Sequence, residues 1–152
     1  AYKKFTPGKK ILICPPSQKV MAMFDQPDPE TWTKNVIAEL KKHTDRPIEV
    51  RLKPDRADRV TINTMEQALS DDVHCMVTYN SIAAVEAILL GKPAIALGPN
   101  AASTLCNSNL DEVENLHYPE KDLVVKFACH LSYCQFTEGE MRSGFAWNIV
   151  NE

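Results

Sequence analysis

The chain has 152 residues, of which 44% are hydrophobic and 24% charged, as is ordinary for one globular domain. Its net charge of −3 gives no electrostatic reason to bind nucleic acid or an anionic membrane directly. No apolar run approaches the roughly 18 residues of a membrane-spanning helix, and the N-terminus lacks the apolar core of a signal peptide. We therefore expect a single domain over residues 1–152 without a membrane span.

Cysteine usage favours a reducing compartment. The five cysteines form no C-x-x-C pair, and Cys14 and Cys75 fall in predicted apolar strands. An odd number of unpaired cysteines predicts reduced thiols in a cytoplasmic protein. The four histidines are scattered without metal-ligand spacing, so no metal site is predicted.

The first third of the chain predicts a strand, a loop and a helix. Residues 10–14 form an apolar run ended by two prolines, which is typical of a buried parallel strand. The proline-rich segment 15–29 indicates a long loop with room for one helical turn. A helix is predicted over 28–42, because it opens with proline and acids and its apolar residues recur at helical spacing.

The middle of the chain predicts strands around an apolar helix. Residues 48–52 alternate as a strand, and 64–69 form a short helix. The stretch 73–99 then predicts a buried strand, a polar turn at 78–81, an apolar helix that begins at Ile82 and is ended by a glycine, and another buried strand.

The last third is predicted to be mainly helical. Residues 100–115 are polar and irregular, with room for a short helix, and 120–136 form an amphipathic helix. A Thr-x-x-Glu capping box opens a last helix, 138–149, which can pack on a partner domain. Four aromatic residues are expected to be core or domain-interface residues: Tyr133, Phe136, Phe145 and Trp147.

This order of elements predicts an α/β fold, a three-layer Rossmann-like parallel sheet with helices on both faces. We expect four or five strands. Ligands of such sheets lie beyond the carboxyl ends of the strands. The loops at that edge are 15–19, 53–59 and 78–82, with a fourth at 98–104.

Glu86 is the most informative single residue of the predicted apolar helix. Its neighbours three and four positions away are Ile, Ala, Leu and Leu. Because an unpaired carboxylate costs several kcal/mol on burial, Glu86 must find a partner if it is buried. A pair of ligand hydroxyls is one such partner, and a salt bridge to another helix or exposure to solvent is the alternative.

The polar turn before this helix also allows two interpretations. Ser81 suits the N-cap position of the helix, where free backbone N–H groups can bind an anion. Capping alone would also account for a serine here.

The run from Ser81 to Gly98 contains an E-A-x-x-x-G-x-P pattern made by Glu86, Ala87, Gly91 and Pro93. It resembles the donor-nucleotide segment in the C-terminal half of GT-B glycosyltransferases and of UDP-GlcNAc 2-epimerase-type enzymes. The resemblance implies that Glu86 holds the ribose hydroxyls of the donor. It also implies that Ser81 and nearby backbone N–H groups hold the donor phosphate, with Thr78 and Asn80 in the same site.

A second motif is similar to the capsule-polysaccharide and Kdo-transferase-like group of this family. Its R-x-K-P element is Arg51-Leu52-Lys53-Pro54, directly after a predicted strand. The resemblance implies that Arg51 and Lys53 face a phosphate or a sugar carboxylate. A solvated strand edge, or local pairs with Asp55 and Arg56, is the alternative.

The sequence also departs from this family. The first loop, 15–19, lacks the glycines that usually let backbone approach a diphosphate, although Ser17 and Lys19 can contact phosphate by their side chains. No catalytic base is evident, and His74 is expected to be structural because it lies at a strand start.

The leading hypothesis is a donor-binding glycosyltransferase domain that uses a UDP- or CMP-linked sugar. The nucleotide sugar is the substrate, and no cofactor is expected. Catalysis would require a second Rossmann-like domain, from a longer parent protein, another protein or a homo-oligomer. The alternatives are a standalone nucleotide- or sugar-binding or assembly module without catalytic activity, and an epimerase-like fragment.

Overall fold

A computed structural model describes residues 3–53, 64–69 and 72–151. The chain divides into two compact units, Ala1–Pro119 and Glu120–Glu152. The expectation of one domain over the whole chain stays a prediction.

The first unit is built on a four-stranded parallel sheet with the order β2-β1-β3-β4. The strands are β1 (Lys10–Ile13), β2 (Ile48–Val50), β3 (Val73–Thr78) and β4 (Ala94–Ala96). All but β2 are apolar runs buried at nearly every position, as expected for a parallel sheet covered on both faces. The predicted Rossmann-like α/β fold is confirmed.

Helices connect these strands and cover both faces of the sheet. They are α1 (Gln18–Met23), α2 (Pro29–Leu40), α3 (Met65–Ala68), α4 (Ala83–Leu89) and a 3₁₀ helix (Leu110–Glu114). On one face, side chains of β1, β3 and β4 form a core with α1, α2 and the 3₁₀ helix. The helix α4 packs against β3 and β4 but is not part of that core. Because side chains alternate along a strand, α4 covers the opposite face.

Two local predictions for this unit are corrected. The strand β2 ends at Val50, two residues earlier than expected. The segment 15–29, predicted as a loop, contains the six-residue helix α1, whose Met21 is fully buried in the core. The helix α2 begins after Asp28, whose Oδ1 accepts hydrogen bonds from the N–H groups of Glu30 and Thr31.

His74 has the structural role that its position predicts. The pairing of β3 with β1 skips this residue, since Lys10 pairs with Val73 and Ile11 with Cys75. The buried His74 ring therefore reaches the 3₁₀ helix, where its Nε2 lies 2.8 Å from the carbonyl oxygen of Val113.

The N-terminal segment runs along the turn between α4 and β4. Lys3 N–H donates to the carbonyl of Leu89, and Thr6 N–H to that of Gly91. Gly91 has a φ of 75°, and a Cβ there would lie 2.4 Å from the carbonyl oxygen of Lys4. The glycine that ends α4 is thus required by both backbone conformation and space.

The second unit contains α5 (Lys121–Tyr133), α6 (Glu138–Arg142) and α7 (Phe145–Val150). The prediction of one helix over 138–149 is wrong, because Gly144 has a φ of 78° and separates α6 from α7. The predicted capping box is confirmed, since Thr137 and Glu140 exchange hydrogen bonds between side chain and backbone.

The aromatic residues of the second unit do not form a core. Tyr133, Phe145 and Trp147 are exposed, and Phe136 is half-buried. Their alternative assignment, to a domain interface, stays a prediction. Among the described residues, no helix combines the length and the apolar character needed to cross a bilayer.

Candidate functional site

A cavity of about 460 Å³ lies at the carboxyl edge of the sheet, where β1, β2 and β3 end. The chain leaves β1 toward β2 on one side and returns to β3 on the other, so this edge is the topological switch point of the sheet. The described lining residues are Cys14, Pro15, Pro16, Ser17, Val20, Arg51, Lys53, Met65, Asn80, Ser81, Ile82, Ala83 and Glu86. Five of the six residues predicted for the donor site are among them.

The cations of the cavity come from the end of β2. Arg51 is half-buried, and its backbone N–H donates to the carbonyl of Ile13, which fixes it beside the end of β1. Lys53 is exposed at the same wall. The remaining residues of the motif, Pro54 together with Asp55 and Arg56, lie outside the described residues, as do residues 54–59 of the predicted loop 53–59.

Asn80 and Ser81 bring polar groups from the turn between β3 and α4. The Ser81 hydroxyl oxygen accepts a hydrogen bond from the N–H of Ala83, at 3.2 Å. The helix begins at Ala83 and its N-cap residue is Ile82, so the prediction that Ser81 is the N-cap of a helix beginning at Ile82 is wrong. Asn100, in the loop after β4, donates from Nδ2 to the Ser81 carbonyl at 2.9 Å and thereby holds the turn in place.

Glu86 faces the cavity from the middle of α4. Five residues of this helix are buried, but Glu86 is exposed. The sequence left two alternatives open, a ligand partner or exposure to solvent, and the structure shows the exposure. The carboxylate of Glu86 is therefore accessible to a ligand.

The loop after β1 lines part of the cavity. Pro15 and Pro16 are both buried and line it, whereas Ser17 lines it and is exposed. Lys19, which was expected to reach a phosphate, is not a lining residue. Burial raises the pKa of the Cys14 thiol to about 11, although the Arg51 guanidinium beside it acts in the opposite direction. Cys14 is thus a neutral thiol near pH 7.

Thr78 is not brought into the cavity. Its side chain is fully buried, and its hydroxyl donates a hydrogen bond of 2.8 Å to the carbonyl oxygen of Cys14. This bond joins the ends of β3 and β1 next to Cys14, which lines the cavity. Thr78 therefore supports the site from within the sheet, which differs from the donor contact that the resemblance implies.

Several apolar residues of the cavity were not foreseen. Val20 belongs to α1, where the sequence left room for only one helical turn, and Met65 belongs to the short helix α3. Ile82 and Ala83 add apolar surface next to the polar turn. No motif marks such residues, and only the position of α1 after β1 could have indicated Val20.

The described part of the chain contains no group of three or more His, Cys, Asp or Glu side chains that could hold a metal ion. All five cysteines are free thiols. Comparisons of the chain with protein-family models, with curated proteins and with solved structures found no match.

Proposed function

We propose that this chain is the donor-binding domain of a glycosyltransferase that uses an activated nucleotide sugar, UDP- or CMP-linked, and that needs a second domain for catalysis. The observation that carries the proposal is the convergence of Arg51, Lys53, Ser81 and Glu86 on one cavity at the switch point of a parallel sheet. Nucleotides bind at this position in doubly wound α/β folds.

The distribution of charge in the cavity matches the parts of such a donor. Arg51 and Lys53 can form charge-assisted hydrogen bonds with a phosphate. The exposed carboxylate of Glu86 can accept hydrogen bonds from the two hydroxyls of a ribose. Ser81 can donate its hydroxyl proton to a phosphate oxygen while it accepts from Ala83. During transfer, the two cations would stabilise the charge that develops on the leaving phosphate.

The same residues support the proposal that catalysis needs a second domain. Among the described lining residues, Glu86 is the only carboxylate and there is no histidine. If Glu86 holds the ribose, the proton acceptor for the chemical step must come from elsewhere. This observation equally favours a nucleotide-binding or assembly module without catalytic activity as the second candidate. As part of the same proposal we assign the protein to the cytoplasm, supported by its five free thiols.

Thermal-shift and calorimetric titrations with UDP, CMP, GDP and their sugars test the proposal. A ligand at 100 times its Kd should stabilise the fold by about 2.7 kcal/mol. Glu86→Gln should weaken a ribonucleotide about tenfold or more but leave the corresponding dideoxynucleotide nearly unchanged, because only the first has the hydroxyl pair. Arg51→Met and Lys53→Met should weaken both.

Two exposed residues outside the cavity provide matched controls, namely Glu30→Gln and Lys41→Met. Both should bind like the wild type. Absence of stabilisation by every nucleotide would refute the proposal. If Glu86→Gln binds the ribonucleotide as tightly as the wild type does, Glu86 does not hold the ribose hydroxyls. To distinguish an enzyme from a binding module, the chain is joined to a second domain and given a sugar nucleotide and an acceptor. Release of free nucleotide would then indicate an enzyme.

A further inference from the structure

An exposed histidine and an exposed cysteine lie side by side at the end of α5. His130 is in the last turn of this helix, and Cys134, four positions later, is its C-cap residue. The Nε2 atom of His130 lies 3.7 Å from the Sγ atom of Cys134. Both residues are exposed to solvent. The spacing of the histidines alone does not reveal this pair, because its second member is a cysteine.

The distance between these two atoms matches the distance between two ligands of one metal ion. Tetrahedral Zn²⁺ binds a histidine nitrogen at about 2.0–2.1 Å and a cysteine sulfur at about 2.3 Å, so two such ligands lie about 3.5–3.6 Å apart. His130 and Cys134 are already close to this separation. A borderline-soft cation that accepts nitrogen and sulfur ligands can therefore bind both side chains with little rearrangement.

The end of the helix also favours a cation. The last carbonyl groups of an α-helix have no partner within the helix and give its C-terminus a partial negative charge. With 13 residues, α5 is long enough for its peptide dipoles to add up. Lys126, one turn before His130, acts in the opposite direction, but it is exposed and water screens its charge. The helix terminus therefore contributes to the binding of a cation beside Cys134.

Two ligands do not complete a tetrahedral site. Structural Zn²⁺ sites use four protein ligands. Among the described residues, no third His, Cys, Asp or Glu side chain joins this pair in a group that could hold a metal ion. A second copy of the chain would supply the same two ligands, because two-fold symmetry repeats an exposed pair across the axis. Tyr133 lies on the same helix face, three residues after His130, and is 79% exposed. Such an aromatic side chain is typical of a surface that a partner covers.

We propose that His130 and Cys134 form half of a Zn²⁺ site, and that two copies of the chain share one ion through two histidine nitrogens and two cysteine sulfurs. Each cysteine releases its thiol proton to solvent on binding, and the two thiolates neutralise the charge of the ion. The site belongs to the second unit and does not depend on the proposed nucleotide site.

Titration of the reduced, chelator-treated full chain with Co²⁺ and Zn²⁺ tests the shared site. Co²⁺ should give the visible bands of tetrahedral coordination and a thiolate-to-metal charge-transfer band, with saturation at one ion per two chains. Zn²⁺ should displace Co²⁺ and double the mass measured by light scattering, and a chelator should restore the monomer. One ion per chain without a change of mass would overturn the shared site. Absence of a tetrahedral spectrum would overturn the whole inference.

The variants His130→Asn and Cys134→Ser identify the ligands. Each should lower the affinity for Zn²⁺ by more than about tenfold and abolish the dimer, since even outer-shell partners of a metal contribute about 10–100-fold. Cys134→Ser should also remove the charge-transfer band. The matched controls are Cys129→Ser, an exposed thiol of the same helix, and His117→Asn, an exposed histidine of the first unit. Both controls should bind Zn²⁺ like the wild type.

All four substituted residues are exposed, so each variant should keep the fold, which circular dichroism checks. Wild-type affinity for Zn²⁺ in either His130→Asn or Cys134→Ser would refute the assignment of that ligand. A dimer that resists the chelator in the presence of reductant would show that the two copies associate without the metal, which would also overturn the shared site.

Discussion

Replacing Thr78 by valine separates a structural role from a ligand-binding role. The Thr78 hydroxyl is fully buried and donates to the Cys14 carbonyl at 2.8 Å. Valine has nearly the same volume, so the variant loses this hydrogen bond without leaving a cavity. Because the carbonyl of Cys14 loses its partner, we expect the free energy of unfolding to fall by about 1–2 kcal/mol. That corresponds to a decrease in Tm of roughly 3–8 °C.

The assay combines urea denaturation with nucleotide titration. We expect Thr78→Val to change nucleotide affinity less than about threefold, because the side chain does not line the cavity. Thr33→Val is the matched control, since this buried threonine donates to the carbonyl of Pro29 at 2.6 Å, away from the site. Both variants should lose stability and keep affinity. A tenfold loss of affinity in Thr78→Val, at unchanged stability, would refute the structural assignment.

Two further variants test how the first unit is held together. Arg46 forms a bidentate ion pair with Glu114, at 2.7 and 2.9 Å, and holds the pKa of Glu114 at about 2, below its ordinary 4.5. The stabilisation is therefore present above pH 4.5 and is lost as the pH falls toward 2. Because Glu114 is 45% exposed, we expect Glu114→Gln to cost only about 1 kcal/mol at pH 7 and much less at pH 2, as measured by urea denaturation. An equal loss at both pH values would contradict this. Gly91→Ala should cost about 1–3 kcal/mol, because it adds a Cβ to a residue with positive φ and crowds the Lys4 carbonyl. A melting temperature equal to that of the wild type would show that the N-terminal segment adapts freely.

The fold could be predicted because buried parallel strands have a distinctive pattern. Three of the strands are short, continuous apolar runs that end at prolines or at a polar turn. The helix α1 could not be predicted, because its six residues lie between two proline-rich segments and its stability comes from burying Met21. The break at Gly144 could have been anticipated, because a glycine in the middle of a helical pattern weakens a helix and can end it.

The candidate site was only partly predictable for a related reason. Apolar neighbours on α4 left open whether Glu86 is buried or exposed, because a helix that covers a sheet leaves one side free and sequence spacing does not tell which side borders a cavity. Thr78 poses the opposite problem. In a strand buried on both faces, the alternation of side chains does not show whether the last residue is buried against a neighbouring strand or lines the cavity.

The site depends on topology more than on any single motif. Ser81 and Glu86 come from the crossover after β3. Arg51 and Lys53 follow β2, and Pro15 and Pro16 follow β1. Each group has an ordinary structural explanation when considered alone. The strand order β2-β1-β3 brings all three loops to one edge, where two cations, a carboxylate and two prolines line one cavity. A phosphorylated nucleoside, the ligand proposed above, would contact Arg51 and Lys53 through its phosphate and Glu86 through its ribose diol, so that one ligand would use the groups that follow β2 and β3.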